Sequence, residues 1–212
     1  LTVVVGKRIA YDDPAFGSTD RERTKKIGAF YKLEFQKVRD GIEDADYYKD
    51  ILFSNYRYKG ASLFNAVKND FKENKMLYQK ISDRLPAKAT IVHIANDYGQ
   101  LDILLVSRFL DRKITSYISD KEKRTIAKHC YTNQHRNVEY LNDFEQILSK
   151  KADILVISAK MSDISETKTL LEIQVQNVLL VQNDALLAAF VDKGYQIQYQ
   201  DQSIIDLVLQ YK

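Results

Sequence analysis

The sequence is short of the residues that punctuate or staple a chain. It has one cysteine in 212 residues, Cys130, so an internal disulfide is excluded. That usage fits a reducing compartment such as the cytoplasm. The two prolines, Pro14 and Pro86, both fall in expected loops and leave the stretches between them free to be helix or strand. No apolar run approaches the roughly 20 residues that span a bilayer, and no N-terminal signal region is expected. Glycine is scarce, and Gly99 is the only one between Gly60 and Gly194. A phosphate loop of the type G-x-x-x-x-G-K is therefore missing, as is the G-x-S-x-G nucleophile elbow.

What is present is an ordinary globular composition, with 45% apolar residues to build a core. The net charge of +3 is unevenly spread. Up to Lys88 there are 18 Lys/Arg against 13 Asp/Glu, a net +5; the remainder has 14 against 16, a net −2. The basic excess is expected mainly to be a solvated helix face; an acidic partner or an anionic membrane surface would also use it. Tyrosines interleaved with Lys/Arg between Tyr31 and Tyr78 are read as packing residues, and no nucleic-acid partner is expected.

The first part reads as helical. Residues 1–9 begin with a β-branched run and no Met, which reads as a strand entering a turn. A strand with no partner before it implies a piece of a longer polypeptide. Residues 11–18 form a loop, and Thr19 to Glu22 has the spacing of a capping box. Ile27, Phe30, Tyr31, Phe35 and Val38 then recur at helical spacing, opposite Arg21, Arg23, Lys25, Lys26 and Lys32. Residues 44–54 and 62–81 are further helices, and 83–88, with Pro86, reads as a linker. The expected division is a helical segment over 1–87 and an α/β domain over 88–212.

After Lys88 the pattern changes. Apolar strands at 89–95, 113–119, 137–141, 152–158 and 177–182 alternate with helices at 101–110, 120–131, 143–150, 165–173 and 184–193. This alternation argues a parallel sheet covered on both faces. Residues 195–199 and 204–209 are two strands with no helix between them, so they must be antiparallel to each other. The order resembles the class I S-adenosylmethionine-dependent methyltransferases. The resemblance implies a three-layer, Rossmann-like sheet, mostly parallel, ending in an antiparallel hairpin.

In that family the first strand ends in an acid followed by E/D-x-G-x-G-x-G, a loop that lets the backbone approach the cofactor. The matching stretch is His93-Ile94-Ala95-Asn96-Asp97-Tyr98-Gly99. His93 stands in the acid's place, Ala95 and Asp97 replace two glycines, and Gly99 remains. Ala95 fits only if its φ is negative. Asp97 is suited to cap the next helix. The resemblance also marks Ser119 and Asp120 as the ribose position and Asp143 as the adenine position, though both acids are natural helix caps. The D/N-P-P-Y motif of amino-methyltransferases is replaced by Ile157-Ser158-Ala159-Lys160-Met161-Ser162-Asp163. S-adenosylmethionine is thus the implied cofactor, and the loop argues against its use. The expected alternatives are a divergent, non-catalytic module and an active methyltransferase with unusual contacts.

His129, Cys130 and His135 have no fourth ligand at metal-binding spacing and are read as a helix end. The opening V-V-V-G-K-R-I and Tyr11-Asp12-Asp13 resemble the tail of a glycerolipid acyltransferase domain. With Asn55-Tyr-Arg-Tyr-Lys-Gly60 they resemble Bacteroidetes proteins that fuse an exporter-like membrane region, an acyltransferase and a methyltransferase-like tail. That resemblance implies the rest of the parent polypeptide as partner, and a place on the cytoplasmic face of the inner membrane.

Overall fold

The computed structural model describes residues 8–42, 44–160 and 167–209. Two compact units divide at Tyr47 and Tyr48. The opening strand expected over 1–9 lies mostly outside the described residues, as do 161–166.

The first unit holds one long helix, α1 (Asp20–Ile42). Asp13 accepts from the Ala15 amide at 3.0 Å and turns the preceding loop. Thr19 caps α1 by accepting from the Glu22 amide at 3.3 Å, the first half of a capping box. Phe16 meets Phe30 edge to face at 5.8 Å. Tyr31 and Phe35, expected on the packed face, are 55% and 71% exposed.

The second unit is a seven-stranded sheet with helices. Its strands are β1 (Thr90–Ala95), β2 (Lys113–Ile118), β3 (Val138–Tyr140), β4 (Ile154–Ile157), β5 (Asn177–Val181), β6 (Tyr195–Gln200) and β7 (Ile204–Leu209). The spatial order is β3-β2-β1-β4-β5-β7-β6. Every pair is parallel up to β5; β7 then enters antiparallel between β5 and β6. Central strands β1, β4 and β5 are buried almost throughout, because helices cover both faces. β6 sits at the edge, where Gln196 and Gln198 face solvent and an irregularity falls between Ile197 and Tyr199. Polar side chains and a broken register both blunt a free edge.

Helices α2 (Lys49–Ser54) and α3 (Ala61–Arg84) belong to this same unit. The boundary expected at Lys88 therefore falls inside it. Leu52, Tyr56, Val67, Phe71, Tyr78 and Ile81 are buried. The expected linker is packed rather than loose: Arg112, fully buried, donates to the carbonyls of Ser82, Leu85 and Pro86 and to the Ser82 hydroxyl. Helix α4 (Gln100–Arg108) is buried along its whole length. The expected helix over 120–131 divides into α5 (Lys121–Lys128) and α6 (Tyr131–His135). The expected helix over 143–150 is a 3-10 segment, Phe144–Ser149. Within the expected helix over 165–173 the described helix is α7 (Thr167–Leu170). The stretch over 184–193 is a 3-10 turn followed by α8 (Leu187–Asp192). No helix among the described residues is long and apolar enough to cross a membrane.

Candidate functional site

In an open parallel sheet, ligands bind beyond the carboxyl ends of the strands, where connections leave in opposite directions. Here that point lies between β1 and β4. A cleft of about 220 Å³ opens there. Asn96 and Asp97 line it after β1, Ser158 and Lys160 after β4, Gln182 after β5, and Asp70 and Tyr78 from α3. Gln182 has a φ of +50°, a left-handed backbone that glutamine seldom adopts. Strain of this kind gathers at functional sites.

The loop between β1 and α4 is tied down from four sides. Asp97 accepts from the amides of Gly99 at 2.9 Å and Leu101 at 3.1 Å, so it caps α4 with both oxygens. Lys123 of α5 donates to the Asn96 carbonyl at 2.9 Å and to its side-chain oxygen at 3.1 Å. Tyr56 donates to the Tyr98 carbonyl at 2.8 Å. The Gln100 side chain accepts from the Tyr98 amide at 2.5 Å and donates to Asp70 at 3.0 Å. Asp70 also accepts from Asn74 at 2.9 Å and from the Tyr78 hydroxyl. Burial raises the Asp97 carboxyl above the usual carboxylate range, Asp102 adds to this, and His93 pulls the other way.

Beneath the loop runs a buried polar chain. His93 points off β1, wholly buried, with Nδ1 at 2.7 Å from Asp102 Oδ1 and Nε2 at 2.8 Å from Ser158 Oγ. Asp102 Oδ2 accepts from the Tyr140 hydroxyl at 2.9 Å, which in turn accepts from Asn133 at 2.6 Å. Burial opposes a charge on His93, but Asp102 outweighs it and the imidazole pKa lies above its ordinary value.

The residues marked by the sequence do not all meet here. His93, Ala95, Asp97 and Gly99 share the loop at the end of β1. Ala95 is buried against Ile118 and Ala127 and lies outside the positive-φ region. Gly99 has a φ of +84°, and a Cβ there would stand 2.6 Å from the Tyr140 hydroxyl. Ser119 and Asp120 are exposed beyond β2. Asp120 accepts from the Lys123 amide at 2.9 Å and is the N-cap of α5. Asp143 is exposed, and its side chain makes no capping bond.

No local motif in the sequence marks Asp102, Ser158 or Tyr140 as chemistry-bearing. A carboxylate in the apolar helix Gln100-Leu-Asp-Ile-Leu-Leu-Val is a signal for Asp102; Ser158 and Tyr140 carry none. Cys130 is buried, which pushes its thiol up to about 11, and it donates to the Ile126 carbonyl. His129 is turned to the Thr125 carbonyl at 2.7 Å.

Among solved structures, mitomycin 7-O-methyltransferase MmcR is similar at a TM-score of 0.51 and 12% identity, over 77% of this chain and 60% of that one. An uncharacterised protein from Listeria monocytogenes serotype 4b is similar at 0.51 and 13% identity, over 64% and 68%. The fold is that of a class I methyltransferase. TrmN from Thermus thermophilus is also similar, at 0.48 and 11% identity, over 64% of this chain and 48% of that one. The matched region thus spans under two-thirds of MmcR and about half of TrmN. No protein-family model matches the sequence, and no curated protein matches it.

Proposed function

We propose that the α/β unit is a methyltransferase-like module that does not use S-adenosylmethionine. It serves as the C-terminal part of a larger membrane-associated bacterial protein of the exporter and acyltransferase kind. The observation that carries this reading is the self-satisfied loop after β1. The amides that a cofactor would meet at the start of α4 are taken by Asp97. Asp120, the acid nearest the ribose position, is engaged as a helix cap. The position of the family's acid is held by His93, locked between Asp102 and Ser158. The residues present therefore do not fit S-adenosylmethionine, and no methyl-transfer step is drawn through them.

Calorimetric titration of the whole chain with S-adenosylmethionine and S-adenosylhomocysteine tests this. The expected result is no binding at millimolar ligand. Micromolar binding that Asp120→Ala weakens would overturn it and restore an active methyltransferase with atypical contacts.

The parent polypeptide is the expected partner, on the cytoplasmic face of the inner membrane. The exposed bases Arg21, Lys25, Lys26 and Lys32 on α1 support attachment to an anionic lipid surface, where each base near the surface is worth about 1 kcal/mol. Co-sedimentation with phosphatidylserine vesicles should fall as salt rises. Background sedimentation at low salt removes the attachment.

A further inference from the structure

We propose that Asp102, His93 and Ser158 form a hydroxyl-activating relay, with Ser158 as nucleophile toward small carboxylic esters that enter the cleft. This chemistry is distinct from methyl transfer.

The argument begins with geometry. The imidazole of His93 lies between a carboxylate at 2.7 Å and a hydroxyl at 2.8 Å, one on each ring nitrogen. Such a relay is recognised by its geometry and roles, not by sequence order. The three residues come from β1, α4 and the turn after β4, so the sheet itself sets their spacing.

The two ends of the relay differ. His93 and Asp102 are 0% exposed. Ser158 is only half-buried and lines the cleft. A dry acid end and an open hydroxyl end are what proton transfer from a nucleophile requires. The dry end holds the imidazole in one orientation and stabilises the charge that develops on it. The open end is where a substrate carbon can arrive. Tyr140 adds a second donor to Asp102, which fixes the carboxylate as well.

The step balances without any further reagent. Ser158 Oγ bonds to the ester carbonyl carbon as its proton passes to His93 Nε2. Collapse breaks the bond to the alcohol oxygen, which leaves with the proton from His93. Water then attacks the acyl-serine by the same route and releases the acid. The amides of Ser158 and Ala159 both donate to the Ile94 carbonyl. The developing oxyanion therefore needs another partner. Lys160 lines the same cleft and has no hydrogen-bond or ion-pair partner among the described residues. Its ammonium supplies the opposite charge. A cleft of about 220 Å³ is smaller than the 300–1,000 Å³ typical of drug-sized ligands, which selects short acyl groups.

The test uses the whole chain with p-nitrophenyl acetate and a fluorophosphonate probe. The expected result is one probe adduct, located on Ser158 by mass spectrometry, and ester hydrolysis that rises with pH as His93 loses its proton. Ser158→Ala should remove the adduct and lower hydrolysis by about 100-fold, the scale of positioned acid–base catalysis. Labelling is read on the unaltered chain, so it decides the matter even where the variant fails to fold. Absence of an adduct on Ser158, or hydrolysis unchanged in a folded Ser158→Ala, overturns the proposal and leaves the hydroxyl as a hydrogen-bond partner of His93.

Discussion

Gly99 lies against Tyr140 so closely that a Cβ on Gly99 would stand 2.6 Å from the tyrosine hydroxyl. The same Cβ would meet the Asn133 side chain at 2.8 Å and Ala127 Cβ at 2.9 Å. Gly99 is thus required by the packing under the loop as well as by its φ of +84°. Gly99→Ala should cost about 1–2 kcal/mol for the left-handed backbone alone, and more for the contacts. Urea unfolding should show the loss. In a double-mutant cycle Gly99→Ala should cost less in a Tyr140→Phe background than in the unaltered chain, because the nearest atom is gone, although Tyr140→Phe itself destabilises by removing a donor to Asp102.

Asp120 gives a second prediction, because the structure assigns it a role that competes with ribose binding. It accepts from the Lys123 amide at the start of α5. Asp120→Ala should lower stability by about 1 kcal/mol, the usual worth of an N-cap, while Asp120→Asn should keep most of it. A ribose contact would instead leave the free chain little changed and alter only a ligand-induced shift in Tm.

The mostly parallel sheet with its terminal hairpin was legible because its strands announce themselves. Apolar runs such as Ile154-Leu-Val-Ile and Asn177-Val-Leu-Leu-Val can only be buried on both faces, and the missing helix before Ile204 marks the hairpin. The loop's erosion was legible too, since the glycines are absent from the sequence itself. The relay under the loop was not. Asp102 and Ser158 stand 9 and 65 residues from His93 along the chain, with no local motif; the packing of α4 on the sheet brings the first to it and the parallel pairing of β1 with β4 the second. The unit boundary was hidden for a similar reason. Pro86 reads as a linker residue, and nothing local shows that its carbonyl is held by Arg112 at 3.0 Å.

Arg112 carries a third prediction. Its guanidinium serves the Ser82, Leu85, Pro86 and Leu105 carbonyls and the Ser82 hydroxyl from a fully buried position. Truncation to Ala would strand these acceptors and leave a cavity. Each bond to a charged donor is worth roughly 1.5–3 kcal/mol, so a loss of at least about 3 kcal/mol is expected. Arg112→Lys should recover little, because a single ammonium cannot fork to acceptors spread this widely. Chemical denaturation of both variants checks the order.

The fourth prediction follows from the charge on His93. Its folded pKa lies above the unfolded value of about 6.5, because the attraction of Asp102 exceeds the cost of burial. A raised histidine binds its proton more tightly when folded, so protonation favours the folded state. That contribution is fully present below about pH 6.5 and is lost as pH rises through the folded pKa. Unfolding free energy from urea titrations should therefore decline across this window and level off above it. Asp102→Asn removes the main attracting charge and leaves burial opposed only by the smaller pull of Asp97, which lowers the imidazole pKa. The decline with rising pH should then vanish or reverse. A slope unchanged by Asp102→Asn would mean that another group, not the His93–Asp102 pair, sets the pH dependence.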